Sequence, residues 1–328
     1  VSGQFFATAT GPHTVIGCSD FLLFAKFVRG EDIAQVVAER RGLGFNDLRV
    51  FLGMQGGLGT FDPRPHLDAL PTFCGLIGQS GLRLELTIFP DAQRWIPDPD
   101  DQRRLLHDVE ARVLEHAAYT RIEGMNEGDY LANGATGIVN ETLDPRVLWC
   151  LGSRIQDAGT MEPVKRYGTY HPARAGKDWP RKIGHNAYEV ALKHKIPVVS
   201  NECKRPDEDS FRDSNFFDGA ANGALMAAGS VFHSQSGKAS TLFTADERRC
   251  AEAWVAGANA VPLEFQRGQY TAGHLHDSPV AYRKDMASHT RILGNRACLS
   301  VPQNPDGWVT KNGWRIVKQT GSVIELEK

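Results

Sequence analysis

Short apolar runs alternate with amphipathic stretches along most of this chain. Residues 21–27 (FLLFAKF) are apolar but for one lysine, which predicts a buried strand. Residues 31–41 follow with Ile33, Val36 and Val37 at helical spacing and acidic residues in the first turn, and Gly42 and Gly44 end that helix. The pair then repeats. Residues 48–54 (LRVFLGM) predict a second strand and 67–78 a helix interrupted by Pro71; 82–89 (LRLELTIF) predict a third strand, stopped by Pro90. Residues 98–116 give the clearest helix. Leu105, Leu106, Val109, Val113 and Leu114 form its apolar stripe, and Asp98, Asp100 and Asp101 complement the positive end of its dipole.

That helix leads into residues 119–127 (YTRIEGMNE), the fourth strand, which breaks at Gly128-Asp129. Residues 147–151 (VLWCL) predict a fifth strand, and 164–171 (VKRYGTYH) a sixth that is more polar than a doubly buried strand usually is. A helix over 183–195 precedes the seventh strand, 196–202 (IPVVSNE). An alanine-rich helix over 215–228, an eighth strand over 230–234 (SVFHS) and a helix over 245–256 complete the series. Eight such alternations predict an α/β fold, a single closed (β/α)8 TIM barrel over residues 1–262. Residues 4–10 and 14–16 predict a hairpin about Gly11-Pro12 that plugs the underside of the barrel. Beyond residue 262 short alternating runs (RACLSV, WRIVK, SVIEL) predict a β-rich C-terminal extension over 263–328, packed on the barrel or folded as a module of its own.

Composition adds exclusions. With 41% hydrophobic and 23% charged residues the chain has the makings of a globular core, and its net charge of −2 comes without any basic run. Nucleic acid is therefore not an expected partner. No stretch approaches the roughly 20 apolar residues of a spanning helix, so no membrane insertion is expected. A soluble protein is predicted, with a secreted or surface-associated location favoured; the first residue is Val and no targeting signal is visible. The six cysteines lack CxxC spacing and are expected to be single buried thiols, with a Cys18–Cys298 bridge as the alternative.

Chemistry concentrates at two strand ends. Glu127 and Glu202 each follow an asparagine, and each closes a predicted strand, the fourth and the seventh. In a parallel barrel the C-terminal strand ends form one rim, so these carboxylates can converge. Two carboxyl groups, one protonated and one ionised, are what glycosidic cleavage uses. Taken singly, a glutamate at a strand end is more often part of a loop ion pair, and Arg49 on the second strand is as easily the partner of an interior carboxylate.

In this order of motifs the chain resembles clan A of the glycoside hydrolases, the retaining (β/α)8-barrel glycosidases with cellulase-like and mannanase-like members. The resemblance covers roughly residues 18–260 and lies in motif order, not in long shared sequence. It implies Glu127 as a protonated general acid/base, Glu202 as an ionised nucleophile, and carboxyl groups about 5–5.5 Å apart. It also implies that Asn126 contacts the sugar 2-hydroxyl, that Arg49 supports the nucleophile, and that His171, with Tyr170 beside it, touches the reacting groups. The substrate implied is an oligo- or polysaccharide with β-linkages, and no cofactor is expected. One departure stands out. The family commonly has a tryptophan at the end of strand eight as a platform for the sugar, where this chain has Phe232, His233 and Ser234; Phe232, Trp179 or Trp149 would have to substitute.

Other signals point elsewhere. Glu123, on the fourth strand, is a third carboxylate near the rim. His274-x-His276-Asp277 has the spacing of a metal-ligand pair and would suit metal-assisted hydrolysis. Residues 56–59 (GGLG) lack the context of a nucleotide-binding loop, and Cys203 lacks a neighbouring base that would make it a nucleophile. The missing tryptophan leaves a rival reading, a carbohydrate-binding or structural barrel without turnover.

Overall fold

The computed structural model describes residues 6–8, 11–54, 59–90, 92–127, 135–155, 165–172, 174, 176, 179–209, 212–267, 280–281, 289–300, 309–310 and 314–328. Eight parallel strands pair in chain order: Val15–Ser19 (β1), Asp47–Phe51 (β2), Arg83–Phe89 (β3), Thr120–Met125 (β4), Leu148–Ile155 (β5), Gly168–His171 (β6), Val198–Ser200 (β7) and Gly229–Phe232 (β8). The register Gly229↔Val15 to Phe232↔Cys18 closes β8 onto β1 and completes the barrel. Helices Ala34–Leu43 (α1), Leu70–Gln79 (α2), Pro99–Val113 (α3), Trp179–His194 (α4), Arg212–Met226 (α5) and Ala245–Ala260 (α6) follow β1, β2, β3, β6, β7 and β8.

The first strand differs from expectation. FLLFAKF contributes the short helix Leu23–Val28, and the strand before it is VIGCS. A seven-residue apolar run has no period to separate a strand from a buried helix. The small residue in VIGCS has a function: a Cβ at Gly17 would stand 2.9 Å from Val231 Cγ2 on the neighbouring strand. The hairpin likewise pairs Phe6–Thr8 with Gly11–His13, because residues 15–16 are already part of β1. Its Phe6 ring meets Tyr167 edge-on at 5.7 Å and is buried with Val15, Val199 and Val231, so the hairpin closes the N-terminal end of the barrel.

The barrel interior is charged as well as apolar. Strands alternate their side chains between two faces, so Asp47 and Arg49, Glu85 and Thr87, and Arg121 and Glu123 share the inner one. Arg121 spans to Asp47 at 2.5 Å and Glu85 at 2.7 Å in the lower tier. Arg49 forms the upper tier, at the rim. A cavity of about 290 Å³, lined by Phe6, His13, Arg83, Tyr119 and Arg166 among others, lies by the hairpin, at the opposite end from that rim.

A four-stranded antiparallel sheet, His289–Leu293, Arg296–Ser300, Val323–Glu327 and Arg315–Thr320 in spatial order, ends the chain. Cys298 and Val323 share one buried cluster with Phe216 and Trp254, so the sheet packs on the helical layer. All six cysteines are free and buried, and Cys18 and Cys298 form no bridge. Among the described residues no helix is long and apolar enough to cross a membrane.

Candidate active site

Glu127 and Glu202 stand just beyond β4 and β7, each with a left-handed backbone, φ +48° and +57°. That region crowds a Cβ against its own carbonyl and costs roughly 1–2 kcal/mol. Lys195 and Ser240 are the other non-glycine residues there among the described ones. Strain of this kind persists where surrounding bonds over-determine it, and here they do. The Asn126 N–H donates to the Phe89 carbonyl at 3.2 Å, and the Asn201 N–H to the Tyr170 carbonyl at 2.9 Å, so pairing with the adjacent strand continues up to the residue before each glutamate.

Arg49, wholly buried, ties the site together. Its Nη1 donates to Glu202 Oε1 at 2.7 Å, its Nη2 to Asn126 Oδ1 at 2.8 Å and to Glu123 Oε2 at 2.6 Å, and its Nε to the same Glu123 oxygen at 2.8 Å. Glu123 also accepts from Thr87 Oγ1, Thr169 Oγ1 and Asn201 Nδ2, at 2.6, 2.7 and 3.0 Å. Burial pushes its carboxyl up, but the Arg49 charge and these donors outweigh it and hold it below its ordinary value. Glu123 is thus the buried counter-ion beneath the rim. It does not share the rim itself.

His171, on the inner face of β6, bridges the two glutamates. Its Nδ1 lies 3.0 Å from Glu127 Oε1 and 3.7 Å from Glu202 Oε2. His171 Nδ1 is thus within hydrogen-bond distance of Glu127 Oε1. Glu202 has a second cation: Arg174 Nη2 donates to Oε2 at 2.6 Å. Burial alone would raise the Glu202 carboxyl; attraction by His171, Arg49 and Arg174 holds it well below the usual carboxylate range. His233, at the end of β8, is pushed down to about 3 by burial, against the pull of Glu202, and so is neutral near pH 7.

One ligand atom each from Glu127, His171 and Glu202 lies within 4.8 Å of the other two. Guanidinium groups occupy both Glu202 oxygens, and a metal ion there would face Arg49 and Arg174. The group therefore suits a pair of carboxyl groups better than a metal centre.

The structure thus brings Glu127, Glu202, Asn126, Arg49 and His171 to one place. Three other expected residues are elsewhere. Tyr170 alternates with Thr169 and His171 and faces outward, buried against Ala187, Ala191 and Val198. Phe232 alternates with Val231 and His233; it is packed against Phe216 at 5.5 Å and Trp254 at 5.9 Å, in the helical layer. Trp179 opens α4, fully buried, with Nε1 donating to Asp209. None of the three offers a face to a sugar, and Trp149 is buried too. His233 was the reachable alternative, since the period-two pattern of β8 puts it on the inner face. His274 and His276 lie outside the described residues, as do residues 56–58 of the glycine-rich loop.

No family model matches the sequence, and no curated protein matches it. Solved structures do match. A Bacteroides vulgatus ATCC 8482 protein assigned to the glycoside hydrolases aligns over 91% of this chain and 67% of its own, at 12% identity and a TM-score of 0.60. The exo-β-1,4-mannosidase Op5Man5 of Opitutaceae bacterium strain TAV5 aligns over 79% of this chain and 62% of its own, at 14% identity and 0.54. The β-1,4-D-mannanase of Cryptopygus antarcticus aligns over 78% and 93%, at 12% identity and 0.52. The chain thus spans about two thirds of the first two. With its eight strands closing in chain order, it has the (β/α)8-barrel fold of the clan A glycoside hydrolases.

Proposed function

We propose that the protein is a retaining glycoside hydrolase that cleaves a β-linked bond in an oligo- or polysaccharide, with Glu127 as general acid/base and Glu202 as nucleophile. Residues 1–262 would form the catalytic barrel and 263–328 its β-rich extension. One observation carries this reading: an oxygen of Glu127 and one of Glu202 lie within 4.8 Å of each other at the rim. So close an approach supports the retaining geometry, in which the carboxyl groups stand about 5–5.5 Å apart, over the about 6.5–9.5 Å of inverting enzymes. The β-linkage is supported only by likeness in fold to the mannosidase and the mannanase.

In this reaction Glu202 attacks the anomeric carbon while Glu127 gives its proton to the departing glycosidic oxygen. A glycosyl ester on Glu202 and a free alcohol result. Glu127 then takes a proton from water as the water oxygen displaces Glu202, so one water is consumed and both carboxyl groups are restored. Arg49 fixes Oε1, so Oε2, on the His171 side and bonded by Arg174, is the oxygen placed to form the bond. Asn126 Oδ1 is occupied by Arg49, so its amide N–H groups are the ones left for a sugar hydroxyl.

A panel of aryl glycosides and polysaccharides tests this. Turnover should fall at least about 10³-fold in Glu202→Gln with the circular dichroism spectrum unchanged; substantial residual activity would refute the assignment. The aromatic side chains turned away from the rim favour a second reading, a barrel that binds sugar without cleaving it. Saturable glycan binding with no turnover on the same panel would establish that one.

A further inference from the structure

We propose that the cavity at the hairpin end of the barrel binds a small, multiply charged oxyanion, bearing phosphate or several carboxylates, through Arg83 and Arg166. The inference is independent of the reaction at the rim. The cavity holds about 290 Å³, just under the range of about 300–1,000 Å³ for pockets that take drug-sized ligands, so it suits a smaller molecule. Its walls come from the hairpin and from the chain entering β3, β4, β5 and β6. They include Arg83, Arg121, Arg146, Arg166 and His13, and no aspartate or glutamate.

These cations are not equally engaged. Arg121 is buried and saturated by Asp47 and Glu85, and Arg146 is held by Asp144. Arg83 and Arg166 have no carboxylate partner among the described residues. The Arg83 Nη1 donates to the Ala118 carbonyl at 2.7 Å and the Arg166 Nη1 to the Pro145 carbonyl, and a neutral acceptor leaves the charge uncompensated. Half-buried Arg83 is held below its ordinary pKa by burial first and by the Arg121 charge as well, against the pull of Asp47. Asp47 is not free to turn to it, because both its oxygens already accept from Arg121. His13 adds an unsatisfied atom: its Nε2 is buried without a hydrogen bond, 4.0 Å from Asp47.

A concave wall of one sign raises the local concentration of the opposite charge, and the planar fork of arginine matches an oxyanion bidentately. Arg146 and Arg166 are exposed, so the cavity is open to solvent on their side. An anion seated there would join the loops before β3 and β6 beside the hairpin, and so would stabilise the closed barrel by mass action.

Calorimetric melting of the full chain in chloride buffer at fixed ionic strength, with inorganic phosphate, glycerol 3-phosphate or citrate added, tests this. At least one should raise Tm saturably, with a Kd at or below about 1 mM, and the preferred anion tells a phosphate ligand from a carboxylate one. Arg83→Gln and Arg166→Gln should each weaken that binding at least about ten-fold, as the loss of a charge-assisted hydrogen bond predicts, and Arg83→Lys should keep part of it. A Tm unmoved by all three anions, or a rise that survives both Gln variants or is abolished instead by Arg174→Gln at the rim, overturns the inference. Should Arg83→Gln fail to fold, the exposed Arg166→Gln decides. None of these readouts needs turnover, so the result stands apart from the glycosidase reading.

Discussion

The side chains that matter most are held by ions placed beneath them. Glu202 is nine-tenths or more buried, yet stays ionised because the attraction of His171, Arg49 and Arg174 exceeds the burial cost. Its pKa lies well below 4.5, so the acid limb of kcat/KM that reports Glu202 should fall below that pH. Arg49→Met removes one of the compensating charges, so any activity left should show that limb shifted to higher pH. The same change strands Glu123 and should cost about 3–5 kcal/mol of stability, measured by urea unfolding, as expected when one partner of a buried pair is lost. The sign for Glu123 is fixed by its lowered pKa: its contribution is present above the unfolded value of about 4.3 and is lost as pH falls through the folded one. The convergence of Glu127 and Glu202 was legible in the sequence because strand order delivers strand ends to one rim, whereas Asn126 and Arg49 were expected only through the resemblance to clan A. Arg174 was not legible, since it stands in a loop after β6 that no periodicity constrains.

Elements were legible where length or capping removed ambiguity. In α3, Asp98 caps the helix by accepting from the Asp100 N–H at 2.7 Å, and Leu105, Leu106, Val109 and Val113 are buried on one stripe. β1 was hidden because VIGCS is short and the apolar run beside it is longer, although that run becomes a helix. The barrel selects VIGCS through its size: the Gly17 position faces Val231 and Val15 at 2.9 and 3.2 Å from an added Cβ. Gly17→Val should therefore destabilise the barrel by at least about 1–3 kcal/mol through overpacking, read as a lower urea midpoint with an unchanged slope. The same alternation that exposed Arg49 and Glu123 to the axis turned Tyr170 and Phe232 away from it. Strand parity, applied residue by residue, would have excluded both.

At the scale of the molecule, the barrel is sealed below by the hairpin and braced on one side by the C-terminal sheet, leaving the strand-end rim for chemistry. Asp218 on α5 is buried near Ser322 of that sheet, and burial raises its carboxyl to about 6. A raised folded pKa gives stability that is full below the unfolded value, about 3.9, and is lost as pH rises through about 6. Asp218→Asn should accordingly raise Tm at pH 8 by a few degrees and change it little at pH 4, measured by calorimetry. The central claim concerns the rim, and trapping the intermediate tests it most directly. Intact protein treated with a 2-fluoro-2-deoxy-β-glycoside of a hydrolysed sugar should gain the mass of one fluorosugar, and peptide mapping should locate it on Glu202. A covalent sugar on any other residue, or none while substrate is still turned over, would contradict the account.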